Sequence, residues 1–222
     1  MYELILIDND IALKVCAYDC AQELMSLEFD KNHKLAMLRV AQYAVDRRVK
    51  RARGVQNGAV LQAQWDFLSA SVQWIEPSAE EIGFAADLEE QAIKLSLELD
   101  GGESQLFAIL VYRLSPLLIT GDKRAIHALE LIGHFLPKER VACLEQVICT
   151  FLGRIGRETL RKRICREPDV DRSLSIVFAC RSQRDTNSDS SIEEGLMSYI
   201  SSVQKSAPTI LVRATDLSTI VS

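Results

Sequence analysis

The sequence contains no apolar run as long as a membrane span, and no basic segment precedes its short N-terminal apolar run. A transmembrane helix needs about 20 consecutive apolar residues, and a signal peptide starts with a positively charged segment. The sequence predicts an apolar strand from Tyr2, which leaves no room for a signal peptide. We therefore expect a cytoplasmic protein with no membrane partner.

Closely spaced cysteine pairs are also absent. The chain has six cysteines, none in a CxxC arrangement, and most have apolar neighbours. Structural zinc sites usually use such pairs, and cytoplasmic cysteines are usually reduced. We therefore expect buried thiols rather than a zinc site or disulfides. The six residues are Cys16, Cys20, Cys143, Cys149, Cys165 and Cys180.

The charged residues are segregated along the chain. Its 222 residues are 48% hydrophobic and 26% charged, an ordinary globular composition, with a formal net charge of -5. Acidic residues dominate positions 76–103, where Lys94 is the single opposing base, and two stretches, 47–53 and 154–166, are strongly basic. The basic stretches could contact the phosphates of a nucleic acid, or they could be solvated helix ends that favour the helix dipole. Both interpretations remain open.

The order of apolar runs predicts an α/β fold. Runs at 2–8, 117–120 and 140–144 are short and nearly continuous, as in buried strands. Between them, apolar spacing predicts helices, which predicts a central parallel sheet flanked by helices in a Rossmann-like three-layer arrangement. The predicted helices cover residues 11–53 with a break near 30–32, 60–74, 78–99, 103 onwards, 123–135 and 145–165.

The C-terminal part of the chain is expected to be a helical extension. We place the main domain at residues 1–150 and the extension at 151–222, packed on the same domain or beside it. Residues 173–180 could form a strand or a helix, 182–191 reads as a polar loop, and 193–204 reads as a helix. Residues 209–212 could be a short strand or an extended tail.

Three acidic residues occupy comparable positions in this pattern. Asp8 follows the first predicted strand, Asp122 follows the second, and Glu103 opens a helix after the turn Asp100-Gly101-Gly102. Each acid alone could be a helix N-cap or a turn residue. Together they should meet at the carboxyl edge of a parallel sheet, and carboxylate oxygens suit Mg²⁺ or Mn²⁺. The pattern therefore favours a divalent-metal site.

The segments LILIDND, LELDGGESQLFAIL and LLITGDKRAI resemble the motifs of the PIN-like nuclease superfamily. The resemblance implies a metal-dependent endoribonuclease, which would hydrolyse RNA, or single-stranded nucleic acid more broadly, with a metal-activated water. It implies that Asp8, Glu103 and Asp122 are catalytic residues and ligands of Mg²⁺ or Mn²⁺, with Asp100 as a further ligand. A regulatory protein and a second copy of the chain are further partners to consider.

Three further residues are candidates for supporting roles. Asp10 falls where PIN-like proteins often place a small polar residue near the metal, and Lys123 could contact a phosphate. PIN-like nucleases usually carry an early fourth acid, which this chain does not show at the matching place. Glu145 is one candidate for it, after the third predicted strand. Other candidates for that place are Asp46, Asp66 and Glu80.

Two other functions fit parts of the sequence. One is a catalytically silent PIN-like module that binds RNA or a protein. The other is a HAD-like phosphatase, in which Asp8 would attack phosphate and Asp10 would act as acid and base. The second interpretation lacks the Thr or Val expected soon after the DxD motif, and a clear Ser or Thr at a later strand end. Replacing Asp10 with asparagine would discriminate between these enzymes.

Overall fold

The computed structural model describes residues 3–27, 33–133, 138–181 and 189–217. These residues form a sheet of five parallel strands in the order β3-β2-β1-β4-β5, which confirms the predicted central parallel sheet. The strands are β1 (Glu3–Ile7), β2 (His33–Leu38), β3 (Gln73–Ile75), β4 (Leu117–Thr120) and β5 (Val141–Cys143).

Helices account for most of the remaining described chain. None of those described is both long and apolar enough to cross a membrane. They are α1 (Asn9–Ala17), α2 (Ala21–Met25), α3 (Arg39–Arg51), α4 (Gly58–Ser71), α5 (Ala79–Lys94), α6 (Gly101–Tyr112), α7 (Lys123–Ile132), α8 (Leu144–Ile155), α9 (Arg157–Cys165), α10 (Arg172–Val177) and α11 (Asp189–Ser206).

The sheet is buried on both faces, so the fold has three layers. Successive strand residues point to opposite faces, and Ile5 and Ile7 join one core cluster while Leu6 joins the other. The first cluster lies under α1, α4 and α8, and the second lies under α5, α6 and α7. Phe178 and Leu196, from the C-terminal part, share the first cluster with β1. The last part of the chain therefore packs on the same core as the sheet.

Two strands were missed from the sequence. Residues Leu35 and Leu38 were predicted to belong to a helix, but they lie in β2. Trp74 was predicted to end a helix, but α4 stops at Ser71 and Trp74 lies in β3. Strand β3 is only three residues long. Strand β2 has no alternating pattern, because its apolar residues face both cores.

Several helix boundaries also differ from the sequence prediction. The helix expected to continue to Cys165 is divided by Gly156, whose φ of 74° ends α8 before α9 begins. Helix α7 ends at Ile132 rather than near residue 135, and residues 134–137 lie outside the described part of the chain. Residues 172–177 are helical, and α11 starts at Asp189, inside the predicted polar loop, of which 182–188 lie outside the described residues.

The prediction that all cysteines are thiols was wrong for one pair. Cys165 at the end of α9 and Cys180 after α10 form a disulfide, with Cα atoms 4.9 Å apart. Their approach depends on how α9 and α10 pack, which the sequence spacing does not reveal. The other four cysteines are free, and of these Cys16, Cys20 and Cys143 are buried.

The C-terminal segment lies along the outer edge of β5. Leu211 forms a parallel bridge with Val141, and the backbone N–H of Val212 donates to the Val141 carbonyl at 2.8 Å. In return, the backbone N–H groups of Arg140 and Val141 donate to the Ile210 carbonyl at 2.9 Å. The predicted strand-like tail at 209–212 thus satisfies backbone groups that β5 would otherwise present to solvent.

Candidate active site

The strand order creates a crevice at the carboxyl ends of β1 and β4. From β1 the chain proceeds to β2 and β3 on one side, whereas β4 and β5 lie on the other side. Open parallel sheets bind ligands at such a reversal of strand order. Asp8 follows β1 and caps α1, while Asp122 follows β4 and caps α7. The fold therefore delivers both acids to the place where a ligand site is expected.

An open cleft of about 800 Å³ occupies this crevice. It brings together all of the acids that the sequence motifs predict for the site, and Lys123. Its lining includes Asp8, Asp10, Asp100, Glu103, Asp122, Lys123 and Glu145. The other candidates for a fourth acid do not line it: Asp46 accepts a hydrogen bond from Trp65, Asp66 accepts one from Gln62, and Glu80 accepts one from Ser78.

Asp8 lines the cleft and is only 7% exposed. Its Oδ1 accepts a 2.6 Å hydrogen bond from the Asn9 N–H, which is the capping interaction of α1. Burial raises the pKa of Asp8 to about 6, and the nearby charges of Asp10 and Asp100 also raise it. Asp8 is therefore partly protonated close to neutral pH unless a cation compensates its charge.

Glu103 is equally buried and lies in a reciprocal cap at the start of α6. Asp100 Oδ1 accepts from the Glu103 N–H at 3.0 Å, and Glu103 Oε2 accepts from the Asp100 N–H at 3.2 Å. The pKa of Glu103 is raised to about 8, mainly by burial. The negative charge of Asp100 raises it further, and those of Asp122 and Asp8 contribute less. The predicted site acids thus lie near enough to disfavour one another's ionisation.

Asp122 is held in a different way. Its carboxylate accepts from the Arg124 guanidinium at 3.0 and 3.3 Å, and from the backbone N–H of Arg124 at 2.8 Å. Partial burial alone would raise the pKa of Asp122, but these hydrogen bonds lower it below its ordinary value. Asp122 is therefore ionised at neutral pH, and an exposed arginine neutralises its charge.

Glu145 and Lys123, which both line the cleft, form an ion pair. Glu145 is 2% exposed and sits in the first turn of α8, directly after β5. The Lys123 ammonium forms an ion pair with its Oε1 and lies 4.7 Å from the centre of the Tyr199 ring. Tyr199 belongs to α11, so the C-terminal part of the chain also holds this lysine.

Asp171 is a cleft acid that the sequence analysis missed. It caps α10, in the C-terminal part of the chain, and lines the cleft with Ser173. Lys14 of α1 forms ion pairs with both Asp10, at 2.7 Å, and Asp171, at 2.8 Å. The only sequence signal for Asp171 was an acid three residues before an apolar helical position, which is common at helix starts.

The cleft supplies the right ligand chemistry for Mg²⁺ or Mn²⁺ but not a preformed cage. Its carboxylates are the hard oxygen ligands that these ions prefer. Within the described chain, however, no three acidic, histidine or cysteine side chains converge closely enough to hold one ion. Instead, Arg124 forms an ion pair with Asp122, and Lys14 forms one with Asp10. Ion binding would thus require side-chain rearrangement within the cleft.

Gly121 allows Asp10 to approach the end of β4. A Cβ at position 121 would overlap Asp10 Oδ2 and lie 3.2 Å from its Cγ. We therefore expect Gly121→Ala to turn the partly exposed carboxylate of Asp10 away from Lys14 and to lower the free energy of unfolding by about 1 kcal/mol or less, the usual contribution of such an ion pair. Urea denaturation would measure this change.

Gly153→Ala is the matched control for that substitution. Gly153 lies inside α8, and a Cβ there would have no neighbour within 4 Å. Alanine should stabilise this helix by about 0.5–1 kcal/mol relative to glycine. Equal effects of the two substitutions would contradict a close approach at Gly121.

Comparisons with known proteins give little further information. No protein-family model matches the chain, and no curated protein matches it. One similar solved structure is the crystal structure of VapBC2 from Rickettsia felis bound to a DNA fragment from their promoter. The similarity covers 60% of this chain and 96% of that chain, with 12% identity and a TM-score of 0.46. Similarity at this level assigns neither a family nor an activity to this chain.

Proposed function

We propose that this protein is a metal-dependent endoribonuclease whose active site is the acidic cleft. One observation carries the proposal: Asp8 and Glu103, from distant parts of the sequence, are buried in the same open cleft beside Asp100 and Asp122. Burying several like charges together is unfavourable unless protons or cations compensate them. The raised pKa values of Asp8 and Glu103 reflect that cost.

Asp8, Glu103 and Asp122, with support from Asp100, are the residues that would hold Mg²⁺ or Mn²⁺. A bound ion would supply positive charge to the phosphodiester and make a water molecule easier to deprotonate. Asp8 is kept in place by its cap on α1, and Glu103 by its reciprocal cap with Asp100. These caps orient the two carboxylates without engaging all of their oxygen lone pairs.

The basic residues of the cleft would position the RNA. The Arg124 side chain is 67% exposed, so its ion pair with Asp122 is weak. Its guanidinium can therefore leave Asp122 and bind a phosphate oxygen of the RNA. Lys14 and Lys123 also line the cleft and would neutralise the RNA backbone near the acids. Residues 1–150 form the nuclease unit in this proposal, and residues 151–222 complete its cleft with Asp171.

RNA cleavage with and without divalent ions tests this function. Wild-type protein should cleave an unstructured single-stranded RNA in Mn²⁺ or Mg²⁺, and EDTA should stop it. Asp122→Asn should reduce cleavage strongly. Asparagine can still cap α7, so the loss would come from the removed charge and not from unfolding of the helix. Isothermal titration should detect Mn²⁺ binding to wild type and weaker binding to the variant. Cleavage that continues unchanged in EDTA would refute the proposal.

A catalytically silent RNA-binding module is the second candidate. It is favoured by the ion pair between Arg124 and Asp122, and by the lack of a converged three-ligand cluster in the described residues. In that case wild type would bind RNA without cleaving it in any divalent ion. Asp122→Asn would then strengthen RNA binding slightly, because it removes a negative charge from the cleft.

Asp10→Asn separates the nuclease from a HAD-like phosphatase. Asp10 interacts with Lys14 and its side chain is 38% exposed, so we place it in a supporting role. The substitution should lower RNA cleavage by about tenfold or less, as expected for loss of an outer residue. Measured rates on RNA and on a small phosphate monoester would check this. Complete loss of activity together with monoester hydrolysis by wild type would favour the phosphatase.

A further inference from the structure

A second, smaller pocket of about 370 Å³ opens beside the acidic cleft. The two cavities share Asp10, Lys14 and Arg48 in their linings, so they adjoin near the C-terminal half of α3. We call the smaller cavity the basic pocket. Its lining also includes Leu13, Arg51, Arg53, Val55, Leu61 and Asp169.

The rim of the basic pocket carries three exposed arginines, Arg48, Arg51 and Arg53. Within the described residues none of their guanidinium groups forms an ion pair, although Asp10 and Asp169 are near. Lys14 neutralises Asp10, and Arg181 neutralises Asp169. The charge of the three arginines is therefore available for an external anion.

The floor of the basic pocket is apolar. Leu61 is 2% exposed and belongs to the first core cluster, and Leu13 and Val55 pack against that cluster. Ala52 ends α3 in the left-handed conformation, with a φ of 42°, and the following residues pass along the pocket. An apolar floor below a cationic rim is complementary to a nucleotide, which has a flat base and a charged phosphate.

We propose that the basic pocket binds one nucleotide of a single-stranded RNA, next to the phosphodiester that the acidic cleft would cleave. Arg51 and Arg53 bind phosphates of that nucleotide, and its base lies on Leu13, Val55 and Leu61. The subsite rests on the proposed function, and it adds the path that the substrate takes beside the acidic cleft. Arg48, which lines both cavities, marks the point where the RNA passes from one to the other.

The pocket selects single strands because a paired base cannot reach its floor. Bases in an A-form duplex are stacked and paired, whereas unpaired bases can turn outward and contact protein surfaces. A volume of about 370 Å³ also lies near the lower end of the range of small-ligand pockets, ~300–1,000 Å³, and suits one nucleotide. Duplex RNA should therefore bind less tightly than a single strand of equal length.

Two pairs of substitutions on the same basic stretch test the arginine rim. Arg51→Gln/Arg53→Gln changes the pocket, and Arg47→Gln/Lys50→Gln removes the same charge from exposed positions outside it. Binding of a fluorescent single-stranded RNA is measured by anisotropy in EDTA at several salt concentrations, so that no cleavage occurs. The pocket pair should weaken binding about tenfold and reduce the salt slope by about 1.4, which corresponds to two phosphates. The control pair should change affinity less than about threefold.

Val55→Trp tests the apolar floor, since a larger side chain would fill the pocket. It should weaken binding of single-stranded RNA several-fold while it leaves binding of an abasic ribose-phosphate oligomer unchanged. Thermal melting checks that the variant folds. If it does not fold, wild type still provides the test: binding of the abasic oligomer should be several-fold weaker than binding of RNA.

The outcomes separate this subsite from the proposed function. Equal loss of binding in both substitution pairs, or equal binding of duplex and single-stranded RNA, would overturn the subsite. Metal-dependent cleavage with unchanged binding by the pocket pair would overturn the subsite alone. Weaker binding by the pocket pair, in a protein that never cleaves RNA, would support the subsite and refute the nuclease function.

Discussion

Cleavage of single-stranded RNA should fall by at least about a hundredfold when Asp8 is replaced by asparagine, a loss of ~2.7 kcal/mol of transition-state stabilisation. Asp8 and Glu103 are the most buried of the acids that would hold the ion, and the Oδ1 of Asp8 already faces the start of α1. Asparagine keeps the size and the capping ability of aspartate but removes the charge. The rate constant for cleavage in Mn²⁺ measures the effect.

Asp87→Asn is the matched control for Asp8→Asn. Asp87 is exposed on α5, in the acidic part of the sequence, and does not line the cleft. Its substitution changes the net charge equally and should leave the rate within about twofold of wild type. A similar loss in both variants would indicate a general charge effect, and full activity of Asp8→Asn would remove Asp8 from the site.

The metal-free protein should lose stability as the pH rises from 6 to 8, and Glu103→Gln should remove most of that loss. The pKa of Glu103 is about 8 in the folded protein, against an ordinary value of 4.5. Between these values the folded state holds a proton that the unfolded state has released, so increasing pH favours unfolding. The full effect over two pH units would be about 2.7 kcal/mol, and we expect about 1–2 kcal/mol because the cleft is open to water.

Asp8 contributes in the same direction at lower pH. The pKa of Asp8 is about 6 in the folded protein, against an ordinary value of 3.8. Its contribution to stability is therefore lost as the pH rises from about 4 to 6, below the range in which Glu103 acts. Glu103→Gln should therefore flatten the upper part of the profile and be more stable than wild type at pH 8. Mn²⁺ should stabilise wild type most at pH 8, where the ion competes with the fewest protons.

Urea denaturation in EDTA at pH 6, 7 and 8 measures this dependence, with and without added Mn²⁺. Asp87→Asn should keep the wild-type profile, because Asp87 is exposed and lies outside the cleft. Asp171 and Asp122 do not interfere, since their pKa values are lowered and they lose their contributions only as the pH falls. A profile of Glu103→Gln parallel to wild type would contradict burial as the cause.

The sheet could be predicted where an apolar run ends in a turn and an acid. This applies to β1, β4 and β5, each of which is followed by an acid that lines the cleft. It failed for β2, because Leu35 and Leu38 continue at helical spacing into Ala41, Val45 and Val49 of α3. A strand covered on both faces needs no alternation, so local spacing cannot separate it from a helix.

The candidate site could be predicted in part for the same reason. Asp8, Glu103 and Asp122 sit at strand ends or helix starts, and these local positions determine where their side chains emerge. Asp171 comes from a helix whose position depends on packing of the whole C-terminal part. The ion pairs that Lys14 and Arg124 make with cleft acids are equally tertiary, so no local pattern predicts them.

The pairing of residues 210–212 with β5 has a consequence for self-association. An exposed edge strand is a template on which another chain can add a strand, the first step of many aggregates. Here the chain's own tail occupies that template beside Val141, and the opposite edge, β3, is only three residues long. Fibril-like growth through a shared sheet would first require the tail to detach. Residues 210–212 thus disfavour this route of self-association in the folded protein.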